Sequence, residues 1–148
     1  METNKDYSAE VMLALRDYFK DLVDDPDTQL HFGKRPSTTE EQMQSFILIT
    51  CPVRWGDRFA FQKTTIRVNC FVRERANGIL PLDKVASLTN AVMAKFPATL
   101  EGRFKFSSPV QIHNCVGDGL GFAYSTTHID LMVLTFDRFK SEENNQSN

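Results

Sequence analysis

Histidine, cysteine, serine and acidic side chains suggest several kinds of chemistry in this chain. His113 and Cys115 lie two residues apart, hence on one face of a strand, and His128 falls on what reads as the partner strand. With His31 or Cys51 they are the residue types of a zinc site, but the short CxxC or HxxxH spacings that fix a metal are absent. They are read as ordinary strand residues. Ser125, His128 and Asp130 are the types of a nucleophilic triad. On one strand, however, His128 and Asp130 share a face while Ser125 points to the other, and no GxSxG elbow occurs. The glycines of GDGLG (Gly117, Gly119, Gly121) are spaced like a phosphate-cradling loop. A β-rich run follows them where such a loop would open a helix, so a hairpin connection is expected instead. Cys70 sits within an apolar alternation and reads as a buried, inert thiol. No catalytic residue, cofactor-binding residue or metal ligand is assigned, no cofactor is expected, and the chain is expected not to be an enzyme.

The feature that favours function is a surface. RWGDRFAF, residues 54–61, places Trp55, Phe59 and Phe61 among Arg54, Asp57 and Arg58. These aromatics can fold back over a sheet edge. They also match the centre of a protein interface, where Trp, Phe and Arg are enriched. Phe71 adds to this, because it falls beside Arg67, Asn69 and Arg73 on the strand face opposite Val68, Cys70 and Val72. A largely polar sheet face carrying an aromatic suits contact with another subunit. The interface candidates are Trp55, Arg58, Phe59, Phe61, Arg67, Phe71 and Arg73.

The elements that must position these residues centre on residues 62–96, QKTTIRVNCFVRERANGILPLDKVASLTNAVMAKF. There the apolar period switches from about 2 to about 3.6, a strand turning into a helix. Pro81 suits the first helical turn, Asp83 favours the positive helix end, and Val85, Leu88, Val92 and Phe96 form the buried stripe, with Ala91 alongside, up to Pro97. Earlier, Ser8 is expected to cap a helix over 8–23, with Val11, Leu15, Tyr18 and Leu22 on one stripe and Ala14 and Phe19 widening it. Pro26 ends that helix. Strands are expected at 28–32, 45–53 (SFILITCPV), 64–74, 110–116 and 124–136, with an optional short one at 103–106. Residues 33–44 read as a polar connection. The result is an α+β fold: a mainly antiparallel sheet with two helices packed on one face, in the order α-β-β-β-α-β-β.

The 148 residues suit one domain, with an ordered core over about 8–139, a frayed start and a polar tail, SEENNQSN, expected to be disordered. Apolar residues make up 41% and charged residues 24%, which sets the chain apart from disordered sequences. The 17 basic and 19 acidic side chains give a net charge of -2, so a specific nucleic-acid partner is not expected. The polar start, METNKDYSAE, is unlike a signal peptide, and no apolar run approaches the roughly 20 residues that span a bilayer. Three scattered cysteines (Cys51, Cys70, Cys115) read as free thiols in a reducing compartment. A soluble, intracellular protein without a membrane partner is the expectation.

IRVNCFVRE, a short turn, LPLDKVASLTNAVMAKF and a hairpin ending in STTHIDLMVLTF together resemble the tail terminator proteins of tailed bacteriophages, also called tail completion or head–tail joining proteins. SFILITCPV and TQLHFGKRP fall where that family has a strand and a short strand followed by proline. The resemblance covers residues 9–138 and lies in the type and length of elements, not in signature residues. The long connection 33–44 and the proline in ITCPV depart from the pattern. It implies a non-catalytic homo-hexameric ring that caps the tail tube and joins it to the head–neck. Its partners would be itself, the tail tube protein and a head-completion or neck protein. Its location would be the host cytoplasm during assembly and then the tail–neck junction of the virion. The alternative reading is a small intracellular α+β ligand-binding protein or enzyme with a site between helix and sheet.

Overall fold

Apolar residues alternate over 66–72, run unbroken over 46–49 and recur every third or fourth position at 11–19 and 85–92, and strands and helices follow these patterns. The computed structural model describes residues 7–24, 28–33, 44–51, 56–58 and 61–134, with the backbone course alone for 56–58 and Phe61. In chain order these residues form α1 (Ser8–Tyr18), β1 (Thr28–Phe32), β2 (Ser45–Thr50), β3 (Gly56–Arg58), β4 (Phe61–Arg73), α2 (Leu82–Met93), β5 (Ala98–Leu100), β6 (Phe104–Phe106), β7 (Val110–Gly117) and β8 (Phe122–Leu134). A 3-10 turn, Ala76–Gly78, precedes α2. Two helices with a strand-rich, curled sheet make the fold α+β.

The element order differs from the expected one by three three-residue strands, β3, β5 and β6. The last is the strand expected as optional. Three residues are too few to show a period, and these segments become strands by pairing along a neighbour. β3 pairs with β4, β6 with β8, and β5 with β6.

The sheet runs β1-β2-β4-β8-β6-β5, with β3 also on β4 and β7 also on β8. β1 and β2 are parallel, and the other pairings are antiparallel, so the sheet is mixed. A parallel pair needs a long connection, and residues 33–44 supply the length. β4 and β8 form the centre: all thirteen residues of β4 pair with β8, from Phe61↔Leu134 to Arg73↔Phe122.

Strand alternation sorts the β4 side chains. Ile66, Val68 and Cys70 are fully buried in one cluster with Val11, Leu15 and Phe19 from α1 and its end, Ile47 and Ile49 from β2, and Val92 and Phe96 from α2 and beyond. Phe96 sits edge-to-face against Tyr18, Phe19 and Phe106. The Tyr18 hydroxyl donates to the Lys95 carbonyl, and Arg103 pairs with Glu10, so both ends of α1 are tied down by polar contacts.

Tyr7, not Ser8, holds the cap position of α1, and its side chain makes no capping bond. The helix stops at Tyr18, before the expected residue 23, because the chain tightens there into turns such as Leu22 N–H to Phe19 C=O. α2 begins at Leu82 with Pro81 at its cap, and it buries Val85, Thr89 and Val92, a stripe in which Thr89 was not anticipated. The frayed start was expected over residues 1–7, but Tyr7 is buried and packs edge-on against Phe104. Residues 1–6, Pro26, Pro52 and the polar tail lie outside the described residues.

Candidate functional site

The opposite face of β4 carries Thr65, Arg67, Asn69, Phe71 and Arg73, and each touches its register partner on β8. Thr65 donates to Asp130 at 2.9 Å, and Arg67 Nε donates to His128 Nε2 at 3.1 Å. Thr126 Oγ1 donates to Asn69 Oδ1 at 2.6 Å. The Phe71 and Tyr124 rings stack at 5.0 Å, and the Arg73 guanidinium lies 4.8 Å from the centre of the Phe122 ring. Five successive cross-strand pairs thus build one ladder, polar at one end and aromatic at the other.

The aromatic end continues onto β2. Phe46 is the register partner of Phe71, and their rings stack at 4.4 Å, 11° from parallel. Phe122 meets Phe46 edge-on at 5.3 Å. Phe46, Leu48, Phe71 and Phe122 form a second buried cluster, packed against Tyr124. Phe71 is therefore only 6% exposed. The face reads as expected, but the Phe71 ring is spent inside the sheet's own aromatic stack. What this face offers a neighbour is Arg67, Arg73 and Tyr124.

Of the other interface candidates, Arg58 and Phe61 are backbone partners in the β3–β4 hairpin, and Trp55 and Phe59 lie outside the described residues. Sequence reading missed a row of exposed apolar side chains: Val110, Ile112 and Val116 on β7 and Leu120 in the hairpin, 41% to 62% exposed. Val110 and Ile112 are two apart, and that alternation was the available signal.

The polar end of the ladder borders a cleft of about 490 Å³, which Ile112, His113, Gly117 and Asp118 wall from the β7 side. Register shifts on β7 between Gln111 and His113 and between His113 and Val116 mark bulges. They overturn the expectation that His113 and Cys115 share a face. His113 lines the cleft, whereas Cys115 packs with Val72, Val85 and Ala123 against α2, because an extra residue reverses the strand's parity. His113 and His128 both line the cleft while Cys115 lies on the other face, and no group of three or more His, Cys, Asp or Glu side chains able to hold a metal occurs among the described residues.

Ser125, His128 and Asp130 divide as strand parity requires. Ser125 is buried with Thr89, His128 bonds Arg67, and Asp130 bonds Thr65. Beneath α2, Cys70 is fully buried, and desolvation pushes its thiol up to about 12 against the opposing hydrogen bonds of Thr89 and Ser125. Cys115 is also pushed up by burial. GDGLG closes the β7–β8 hairpin as anticipated. Asp118 Oδ1 accepts Leu120 N–H at 2.7 Å and Phe122 N–H at 3.0 Å, while Gly119 and Gly121 take positive φ of 76° and 94°.

No described helix is long and apolar enough to cross a membrane. No protein-family model matches the chain, and no curated protein matches it either.

Proposed function

We propose that the chain is a structural assembly protein, a tail terminator that closes into a homo-hexameric ring, caps the tail tube of a tailed phage or prophage, and joins it to the head–neck. In this reading it catalyses no reaction. It meets the tail tube protein on one side and a head-completion or neck protein on the other. It assembles in the host cytoplasm and ends at the tail–neck junction of the virion. Neither a membrane nor a specific nucleic acid is a partner.

The role comes from the resemblance of residues 9–138. The observation that carries it is the pairing of a cationic, aromatic sheet face with an apolar edge. The reading takes both helices to lie on one face, since residues of α1 and of α2 enter one core cluster. Arg67, Arg73 and Tyr124 are then left on the other face, and β7 exposes Val110, Ile112 and Val116 beside them. A head-to-tail ring needs two different complementary patches. The outer face is one of them, and the 54–61 segment with Trp55 and Phe59 is the other. The alternative, an enzyme or ligand-binding protein with a site between helix and sheet, gains no open site beneath α2, where Cys70, Thr89 and Ser125 are buried against one another.

Light scattering with negative-stain imaging tests the reading. A multimer with a central opening is expected, and Trp55→Ala with Phe59→Ala should reduce its mass. An assembly state untouched by the double substitution would remove the second patch. A monomer that also fails to bind purified tail tubes would remove the role.

A further inference from the structure

We propose that the outer-face cleft binds an oxyanion, a carboxylate or phosphate group, with Arg67 as its charge partner and Asn69 as a second donor. Arg67 is half-buried beside the cleft, and its hydrogen bond among the described residues is the one from Nε to His128 Nε2. The guanidinium donates and His128 Nε2 accepts, so the imidazole brings no negative charge to Arg67. No ion pair to Arg67 forms among the described residues: Asp130 accepts from Thr65, and Asp118, an acidic group on the cleft wall that an anion must avoid, accepts two backbone N–H groups of the hairpin at Oδ1.

Withdrawing a cation from water without a counter-charge is costly, and a bound anion removes that cost. The donors are arranged for one. Neither Nη group of Arg67 bonds another of the described residues, and their planar fork matches two oxygens of a carboxylate or phosphate. Asn69 is nearly buried, and Thr126 occupies its Oδ1, which leaves Nδ2 as the donor with no partner among the described residues. His113 faces the same space from β7 with its ring unbonded among those residues. A cleft of about 490 Å³ is of the size that takes a small ligand or an inserted side chain. The anion has two possible sources, a free small molecule or a carboxylate of a second copy. The cleft's chemistry is the same for both and holds whether or not the chain forms a ring.

The test is an NMR titration of the full ¹⁵N-labelled chain with inorganic phosphate and with acetate, against chloride at equal ionic strength, with light scattering on the same samples. Saturable shifts at the Arg67 Nε–H and at amides around the cleft are expected for the oxyanions and not for chloride. Arg67→Gln should weaken binding at least about tenfold, and Arg67→Lys should retain part of it. Saturation with unchanged mass assigns a free anion. Saturation with falling mass assigns a neighbour's carboxylate that the probe displaces. Equal responses to phosphate and chloride, or an Arg67→Gln variant that keeps its dispersed spectrum and binds as the parent does, would overturn the proposal.

Discussion

At Cys70 the side chain has no contact with solvent, and burial raises its thiol from an ordinary value of 9.0 to about 12. Between those values the unfolded chain loses the proton that the folded chain keeps. The stabilisation is therefore complete below about pH 9 and is lost as pH rises towards 12. Urea midpoints should fall from pH 8.5 to pH 10.5, and fall less in Cys70→Val. An equal decline in both proteins would assign the effect to other groups. Phe71 sits in the stack between Phe46 and Tyr124, so Phe71→Ala should cost about 3–5 kcal/mol, as a core residue does. Phe96→Ala should cost about the same, since Phe96 closes against three aromatic rings. Denaturant titration measures both. A loss under about 1 kcal/mol for Phe71 alone would mean the outer stack contributes no more than a surface contact.

Between elements, α2 meets the sheet through a polar contact inside an apolar layer. Thr89 Oγ1 donates to the Val85 carbonyl at 2.7 Å and lies within hydrogen-bond reach of Ser125. Thr89→Val should cost about 1–3 kcal/mol by leaving the Ser125 hydroxyl without that partner, and Ser125→Ala added to it should restore part of the loss. Strictly additive single losses in the cycle would show that the two hydroxyls do not act as a pair. Thr89 also marks where sequence reading falls short: a threonine on an apolar stripe carries no sign of the strand residue it will meet. The period switch at residues 62–96, the Val85–Val92 stripe and the GDGLG hairpin were all legible, because each depends on neighbours within a few residues. The division of His113 from Cys115 was not, because a bulge changes parity without a local signature. The burial of Phe71 was not either, since its partners Phe46 and Tyr124 come from strands far off in sequence. The same holds for the cleft: Arg67 and Asn69 were placed on the right face, but their partners depend on the β4–β8 register.

For the whole molecule, the proposed ring would make stability depend on concentration. If subunits fold together with their neighbours, the thermal midpoint should rise with protein concentration. Dilution series in scanning calorimetry measure this, and an unchanged midpoint over a hundredfold range would point to a subunit that stands alone. The mass and image experiment decides geometry, whereas this one decides whether the apolar edge of β7 contributes to stability. The two answers can differ, because a ring that forms only on a tail tube would show no such dependence in isolation.

β8 is the last strand described, yet it stands at the centre of the sheet, with β4 on one side and β6 and β7 in succession on the other. During synthesis, therefore, β4, β6 and β7 leave the ribosome before the strand they share. Until Phe122–Leu134 follows, the aromatic residues of β4 have no wall on that side, and the apolar row of β7 has no sheet to belong to. Pairings that span about sixty residues form slowly, and exposed edges in the meantime invite aggregation. Nascent chains stalled at Gly121 should accordingly be protease-sensitive, and chains extended past Leu134 resistant. One of the two strands at the sheet's centre, β8, is the last made of all the strands described.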